Sequence, residues 1–239
     1  MTNRHGLHPD SSQPSQLDSH ALHADASSPY GRLNLGLKVG DDPDQVLRNR
    51  KILAEVCGLD SIIFMDQVHS NRIVEAGKGN ESPCDGIFLE RETHQGRVGL
   101  GVQVADCVPL VLTHPTVIAA VHIGREGLVK GMTEAAITKL GSIVDLSQVE
   151  AVIGPSICGD CYPLSEEVFK ECVERYPSCV FDPHEYKVDV AAGVTSILEA
   201  SGITWRWFSG RRECVSCDPT YFSYRRDVVT GRQAMIVSW

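Results

Sequence analysis

Much of what this chain could do is excluded by what its 239 residues lack. No run of lysine and arginine appears, and 22 Lys and Arg stand against 31 Asp and Glu, a formal charge of -9. Gripping a phosphate backbone needs a basic surface, so no nucleic-acid partner is expected. No apolar stretch reaches the roughly 18 residues of a membrane helix. The opening "MTNRHGLHPDSSQPSQLDSH" has no apolar core of the kind a secretory signal needs. A cytoplasmic protein with no membrane partner is the expectation. Chemical signatures are missing too: there is no G-x-S-x-G elbow, no H-E-x-x-H, no Walker pattern, no Rossmann fingerprint and no H-x-E…P-C-x-x-C. The nine histidines include four within the first 23 residues and none at H-x-H spacing, so clustered multicopper chemistry finds little support.

What is present is an ordinary globular composition, 42% hydrophobic and 22% charged, in a chain long enough to bury a sizeable core. Residues 7–29 are rich in Ser, His, Asp and Pro and predict a flexible segment. We therefore expect a partly flexible stretch over 1–29 and a single domain over 30–239. Beyond it, Asp42-Pro43 and Gly58 bracket a helix, and "SIIFMDQVHS" and "RIVEA" read as strands. A turn-rich stretch covers residues 77–86. "RVGLGVQVADCVPLVL" and "TVIAAVHIG" give two or three buried strands, "GLVKGMTEAAITKLGSIV" has helical period, and "VEAVIGPS" is a further strand. "PLSEEVFKECVERYP" and "KVDVAAGVTSILEASG" predict helices. "ITWRWFS", "YFSYRRD" and "RQAMIVSW" predict closing strands, the last two joined around Thr230-Gly231. Several neighbouring strands have no helix between them. That predicts a mixed α/β (α+β) domain with β-sheets packed against helices in several layers, rather than a doubly wound sheet.

Three residues could carry chemistry at strand ends: His69 in "DQVHS", Cys107 in "VADC" and His122 in "AAVHIG". Two imidazoles and a thiolate make a plausible three-ligand zinc set with a fourth position open to water, which the metal would acidify. Against this, the three lie 38 and 15 positions apart, which matches no local zinc pattern. On spacing alone, satisfied core histidines and an inert thiol are the simpler reading. Nine cysteines without an export signal should be free thiols or metal ligands. "CGDC" (Cys158, Cys161) and "CVSC" (Cys214, Cys217) could close a four-cysteine zinc site, but the 52 residues between them are far from zinc-ribbon spacing. "CGDC" also follows a strand and precedes a helix, as a redox pair would. Unrelated thiols remain the simpler reading there. "HIGREGLVKG" sets Gly124, Arg125 and Gly127 at a turn opening a helix, a weak anion-site signal. Arg225, Arg226 and Arg232 cluster near the C-terminus, where a hairpin explains them equally well.

In their order these segments resemble the YfiH family, also called laccase-like or polyphenol oxidase proteins and now regarded as purine nucleoside phosphorylases. The resemblance rests on "NLGLKVGDDP…NR", "DQVHS", "CDGIFL", "VQVADCVPLVL", "AAVHIGREG", "VIGPSICGDCY", "VDVAAG" and "FSYRRDVVTGRQA". It implies a compact multilayer α/β fold and a zinc-binding, catalytic trio of His69, Cys107 and His122, with copper as the alternative metal. It further implies phosphorolysis of adenosine, inosine, guanosine and methylthioadenosine, and adenosine deamination, in a monomer or homodimer. Asn34, Arg50, Arg125 and Arg225 would then touch the nucleoside or phosphate, and Asp106 could orient a ligand or act as general acid or base.

Two departures stand out. The family's "HAGWRG" becomes "HIGREG", placing Glu126 where the family has arginine, and Ser156 replaces a cysteine of "GPC". A carboxylate beside a phosphate-binding Arg125 would cost ~1 kcal/mol or more in a desolvated site. Three other readings stay open: a copper-linked polyphenol oxidase, an amidase using Cys107 as nucleophile and His122 as base, and a peptidoglycan-editing factor with weakened nucleoside activity.

Overall fold

The computed structural model describes residues 2–3, 6–7, 28–31, 33–78 and 83–239. Most of the flexible segment expected over 1–29 lies outside them. The elements run in the order β1 (Thr2–Asn3), β2 (Gly6–Leu7), α1 (Pro43–Val56), β3 (Ser61–Phe64), β4 (Ile73–Glu75) and β5 (Gly86–Glu90). There follow β6 (Val98–Val104), β7 (Val108–Thr113), β8 (Val117–Ile123), α2 (Arg125–Val129), α3 (Met132–Gly141) and β9 (Glu150–Ile153). The chain closes with α4 (Glu166–Arg175), β10 (Val180–Asp182), β11 (Lys187–Val188), α5 (Val190–Ala200), β12 (Thr204–Trp207), α6 (Tyr224–Asp227) and β13 (Gln233–Val237).

Two sheets form the frame: six strands in the order β12-β9-β7-β8-β5-β4, and three in the order β13-β6-β3. Parallel and antiparallel pairings mix in both, and the fold is mixed α/β as expected. Strand alternation assigns the faces. Leu110 and Leu112 of β7, with Ala119 and Val121 of β8, pack under Leu128, Ala136, Leu140, Val194 and Leu198 of the helices. Val111, Ile118 and Ala120 point the other way, against Leu100, Val102, Met235 and Val237 of the small sheet. The outer side of that small sheet is covered by Leu53 of α1 together with Leu33 and Leu35. The layers are therefore helix, three-stranded sheet, six-stranded sheet, helices.

Local chemistry sets the ends. Asp42 caps α1 by accepting from the Asp44 N–H (3.0 Å), with Pro43 at the first turn, and Gly58 beyond the helix adopts φ 67°. The continuous helix expected over "GLVKGMTEAAITKLGSIV" is instead two. Gly131, at φ 84°, turns the chain between α2 and α3. The helix expected over "KVDVAAGVTSILEASG" starts only at Val190, because Asp189 caps it by accepting from the Ala192 N–H (3.1 Å).

Other expectations are overturned. "VQVADCVPLVL" is two strands broken at Ala105–Cys107, where Asp106 takes φ 111°. "SIIFMDQVHS" is a strand only to Phe64, so His69 sits in a loop with its own positive φ of 58°. Of the turn-rich stretch 77–86, residues 79–82 lie outside the described ones, and its end at Gly86 opens a missed strand, β5. "YFSYRRD" ends in a helical turn because the Ser223 hydroxyl accepts from the Arg226 N–H (3.3 Å), and β13 pairs with β6 rather than forming a hairpin across Thr230-Gly231.

Leu100 is fully buried between the sheets. Leu100→Ala should lower unfolding stability by about 2–5 kcal/mol, measured by urea denaturation.

Candidate metal centre and cleft

One end of the two sheets opens into a cleft of about 980 Å³. His69, Cys107 and His122 all line it, and their candidate ligand atoms lie within 4.8 Å of one another. Antiparallel pairing makes this possible, since Pro109 of β7 sits opposite His122 of β8. Cys107, two residues before Pro109, therefore shares that end and face of the sheet. His69 arrives from the loop between β3 and β4, with Nε2 3.7 Å from Cys107 Sγ. The His69 and His122 rings meet edge to face, centroids 4.9 Å apart. Gly124 makes room for this contact: a Cβ there would stand 2.7 Å from His69 Cδ2 and 3.0 Å from Cys107 Sγ.

The organiser of the trio is Asp85, a fully buried carboxylate in the "CDGIFL" segment. It accepts from the N–H groups of Val68 (3.2 Å), His69 (3.0 Å) and Ser70 (2.6 Å) and from the Ser70 hydroxyl (2.7 Å). It also accepts from His122 Nδ1 (2.8 Å). A carboxylate can only accept, so Nδ1 carries a proton and Nε2 is left to face the cleft. Sequence reasoning missed Asp85. The available signal was an acid immediately ahead of the buried run "GIFLE".

Electrostatics follow from this packing. Burial pushes the Asp85 carboxyl up, but the hydrogen bonds from His122 and Ser70 outweigh it and hold the group well below the usual carboxylate range. Burial works against the charged forms of Cys107 and His122 as well, yet each stabilises the charge on the other. With His69 and Asp85 contributing, the thiol falls to about 6 and the imidazole rises to about 9. The pair is a thiolate facing an imidazolium until a metal or substrate intervenes. One thiolate and two imidazoles suit zinc or copper. The donor set and the space that Gly124 leaves fit a single metal ion. Among the described residues His94, His114 and His184 lie outside the cleft wall, so none of these imidazoles joins the trio.

Asp106 lines the cleft, but its carboxylate accepts from the Ser223 hydroxyl (2.6 Å) and the Arg225 N–H (2.7 Å). Its own carbonyl accepts from the Ile157 N–H (2.8 Å). Both oxygens are thus engaged, and they tie the Cys107 turn to the C-terminal segment.

Of the four expected ligand-binding residues, two reach the cleft. Arg50 does, stacked 4.4 Å over Phe64 and donating to the Leu35 carbonyl (2.7 Å). Burial lowers its guanidinium to about 10. Arg225 does too, lying over Tyr162 at 4.8 Å. Asn34 does not line it: its amide bonds Gly36, Asp41 and the Arg232 N–H, which orders a buried loop. Arg125 also lies outside the wall and pairs with Glu171 and Glu126, both at 3.4 Å. Glu126 pairs in turn with Lys130 (3.2 Å), whose ammonium donates to the His69 carbonyl (2.6 Å). The expected repulsion around Glu126 is thus neutralised, and the acid indirectly supports the His69 turn. Arg232, unassigned from the sequence, does line the cleft. Burial lowers its guanidinium, and it donates only to the carbonyls of Thr230 (3.2 Å) and Gly231 (2.9 Å) among the described residues.

The "CGDC" segment does not open a helix. Gly159–Cys161 form a single 3-10 turn that ends well before α4, which removes the thioredoxin-like reading.

Comparison with known proteins gives a consistent picture. A family model described as multi-copper polyphenol oxidoreductase laccase matches residues 22–239. The chain is 34% identical over 223 residues to a purine nucleoside phosphorylase of Corynebacterium glutamicum, covering 89% of each. It is 37% identical over 218 residues to one of Streptomyces griseus, covering 87% of each. Among solved structures it is similar to a Neisseria meningitidis protein (TM-score 0.77, 29% identity, 89% of this chain and 88% of that one). It is also similar to the Bacillus licheniformis hypothetical protein YfiH (TM-score 0.77, 25% identity, 88% and 86%).

Removing Asp85 strands five donors. Asp85→Ala should cost about 3 kcal/mol or more, and Asp85→Asn, which keeps an acceptor oxygen, should cost less, both read from urea denaturation. The carboxyl is depressed in the folded state. Its contribution is therefore full above its unfolded value near pH ~4 and is lost as pH falls toward the folded value. Both variants should show a flatter acid limb of stability against pH than the unsubstituted chain.

Proposed function

Because the chain belongs to the YfiH family, whose model is described as multi-copper polyphenol oxidoreductase laccase, we propose that it is a metal-dependent purine nucleoside phosphorylase. The observation that carries the reading is the pairing, in one cleft, of the His69–Cys107–His122 trio with guanidiniums that make no ion pair. Among the described residues, Arg50 donates to the Leu35 carbonyl and stacks on Phe64, and Arg232 donates to the carbonyls of Thr230 and Gly231, with Cys107 and Asp106 acting on its charge from beyond ion-pair distance. A desolvated guanidinium without an anion is costly, and phosphate is the anion whose geometry it matches. The relatives named purine nucleoside phosphorylase supply the reaction class.

Zinc or copper held by His69, Cys107 and His122 would supply Lewis acidity beside the bound nucleoside. The chain's own groups account for the remainder. Arg50 and Arg232 orient phosphate so that one oxygen faces the anomeric ribose carbon. Tyr162, braced by Arg225, and the exposed Tyr224 offer ring faces to the purine. As the phosphate oxygen bonds to that carbon, the carbon–nitrogen bond breaks and its electron pair leaves with the base, which takes up a proton. Asp106 keeps the walls in register through Ser223 and Arg225. Adenosine deamination in the same cleft would appear as inosine.

The thiolate–imidazolium pair oriented by Asp85 favours one second reading, a Cys–His amidase. Chelator treatment separates the two: phosphorolysis is lost and returns with metal, whereas an amidase keeps its activity and is killed by thiol alkylation.

The direct test incubates zinc-loaded and copper-loaded protein with inosine or adenosine, with and without phosphate, and follows free base. Phosphate-dependent release supports the proposal, and its absence under both loadings overturns it. Arg232→Met should raise KM for phosphate about 10- to 100-fold, the worth of one charge-assisted hydrogen bond, while changing KM for the nucleoside far less. Steady-state kinetics with each substrate varied in turn measures the split.

A further inference from the structure

The two C-x-x-C segments that look unrelated in sequence meet in space. Cys158 and Cys161 follow β9, and Cys214 and Cys217 follow β12. β9 and β12 are adjacent parallel strands, paired from Thr204↔Glu150 to Trp207↔Ile153. The intervening residues make the crossover that a parallel pair requires, and they return the chain to the same end of the sheet. All four Sγ atoms lie within 4.8 Å of one another. Cys161 Sγ and Cys217 Sγ stand 3.4 Å apart.

From these positions we infer a second metal site, a closed tetrathiolate zinc centre formed by Cys158, Cys161, Cys214 and Cys217, separate from the trio in the cleft. Four sulfurs at Zn–S ≈ 2.3 Å stand roughly 3.8 Å apart along a tetrahedral edge, and the observed spacing brackets that value. A disulfide needs sulfurs about 2 Å apart and joins only two of the four.

The backbone is built for thiolates. Cys214 Sγ accepts from the Cys158 N–H at 3.2 Å, so one loop donates to the other's ligand. The Cys161 N–H donates to the Cys158 carbonyl at 3.2 Å, which closes the turn of the first segment. Just ahead of the ligands the loops are bridged by Val215 N–H to the Ser156 carbonyl and Ser156 N–H to the Glu213 carbonyl, both 3.2 Å. The Arg226 guanidinium gathers the carbonyls of Val215 (2.9 Å), Ser216 (3.3 Å) and Asp218 (3.2 Å), which fixes the second loop from outside. Zinc displaces four thiol protons and leaves a doubly negative cluster, and Arg212 lies near enough to Cys158 and Cys214 for its charge to act on them. The centre has no open position for substrate, so its role is structural. It clips together the loop that continues into Tyr162 and the loop that leads to Ser223 and Arg225, which together form one wall of the cleft.

Metal analysis of the purified full-length chain, kept reduced, tests this. His69→Ala should retain one tightly held zinc per chain, and Cys161→Ser/Cys217→Ser should lose it. Cobalt substituted into His69→Ala should show charge-transfer absorption from four thiolates. In the unsubstituted protein, Cys158, Cys161, Cys214 and Cys217 should resist alkylation until a chelator is added. Any one of three results overturns the inference: zinc content unchanged in the cysteine variant, iron in place of zinc, or an intact mass of the unsubstituted chain showing a disulfide within the cluster. The mass and alkylation measurements need no variant, so they decide the matter even if the cysteine variant fails to fold. The readout is independent of nucleoside turnover and survives the failure of the phosphorylase reading.

Discussion

The buried carboxylate of Asp85 is the constraint on which the candidate site rests. A fully buried acid is tolerable only if its lone pairs are occupied, and here the donors come from the loop that presents His69 and from the ring of His122. One side chain thereby joins a loop from the edge of one sheet to the central strand β8 of the other. It fixes the tautomer of His122 and holds His69 at φ 58°, a conformation a histidine would otherwise avoid. Buried carboxylates behind metal-binding imidazoles orient such ligands and raise their basicity.

A second acid repeats the device. Asp106 holds φ 111° beside Cys107, and its bonds to Ser223 and Arg225 tie the break between β6 and β7 to the C-terminal segment. Backbone strain at a non-glycine residue costs of order 1–3 kcal/mol and persists only where neighbours over-determine it. His69 and Asp106 both line the cleft, and both are held by buried polar networks. Arg50 and Arg232 line the same cleft and make no ion pair among the described residues.

Elements with a strong local signal were legible. The Asp42-Pro43 start and Gly58 stop enclose α1, and the uninterrupted apolar run of "TVIAAVHI" contains β8. Segments failed where a side chain made a non-local or capping bond. Ser223 turns "YFSYRRD" helical, Asp106 breaks an apolar run that reads as continuous, and Gly131 divides a helix by its positive φ. Of the trio, residue types alone gave candidates without deciding between ligand and packing. The ordered motifs of the family tipped that balance, and the same likeness pointed to Asn34 and Arg125, which structural bonds hold out of the cleft wall.

By itself the sequence determined the mixed α/β class, because strand and helix periods are written in local apolar spacing. It also supplied the chemistry on offer, two imidazoles, a set of thiols and an acidic balance with no basic run. Tertiary structure decided which of those groups meet. Antiparallel β7 and β8 bring Cys107 to His122 across a single turn, and the parallel β9–β12 pair closes the 52-residue gap between the two C-x-x-C segments. Asp85 finds five donors that nothing in its neighbourhood of sequence announces. The physical reason is common to all three: a sheet sets neighbours by strand order, which local periodicity does not encode.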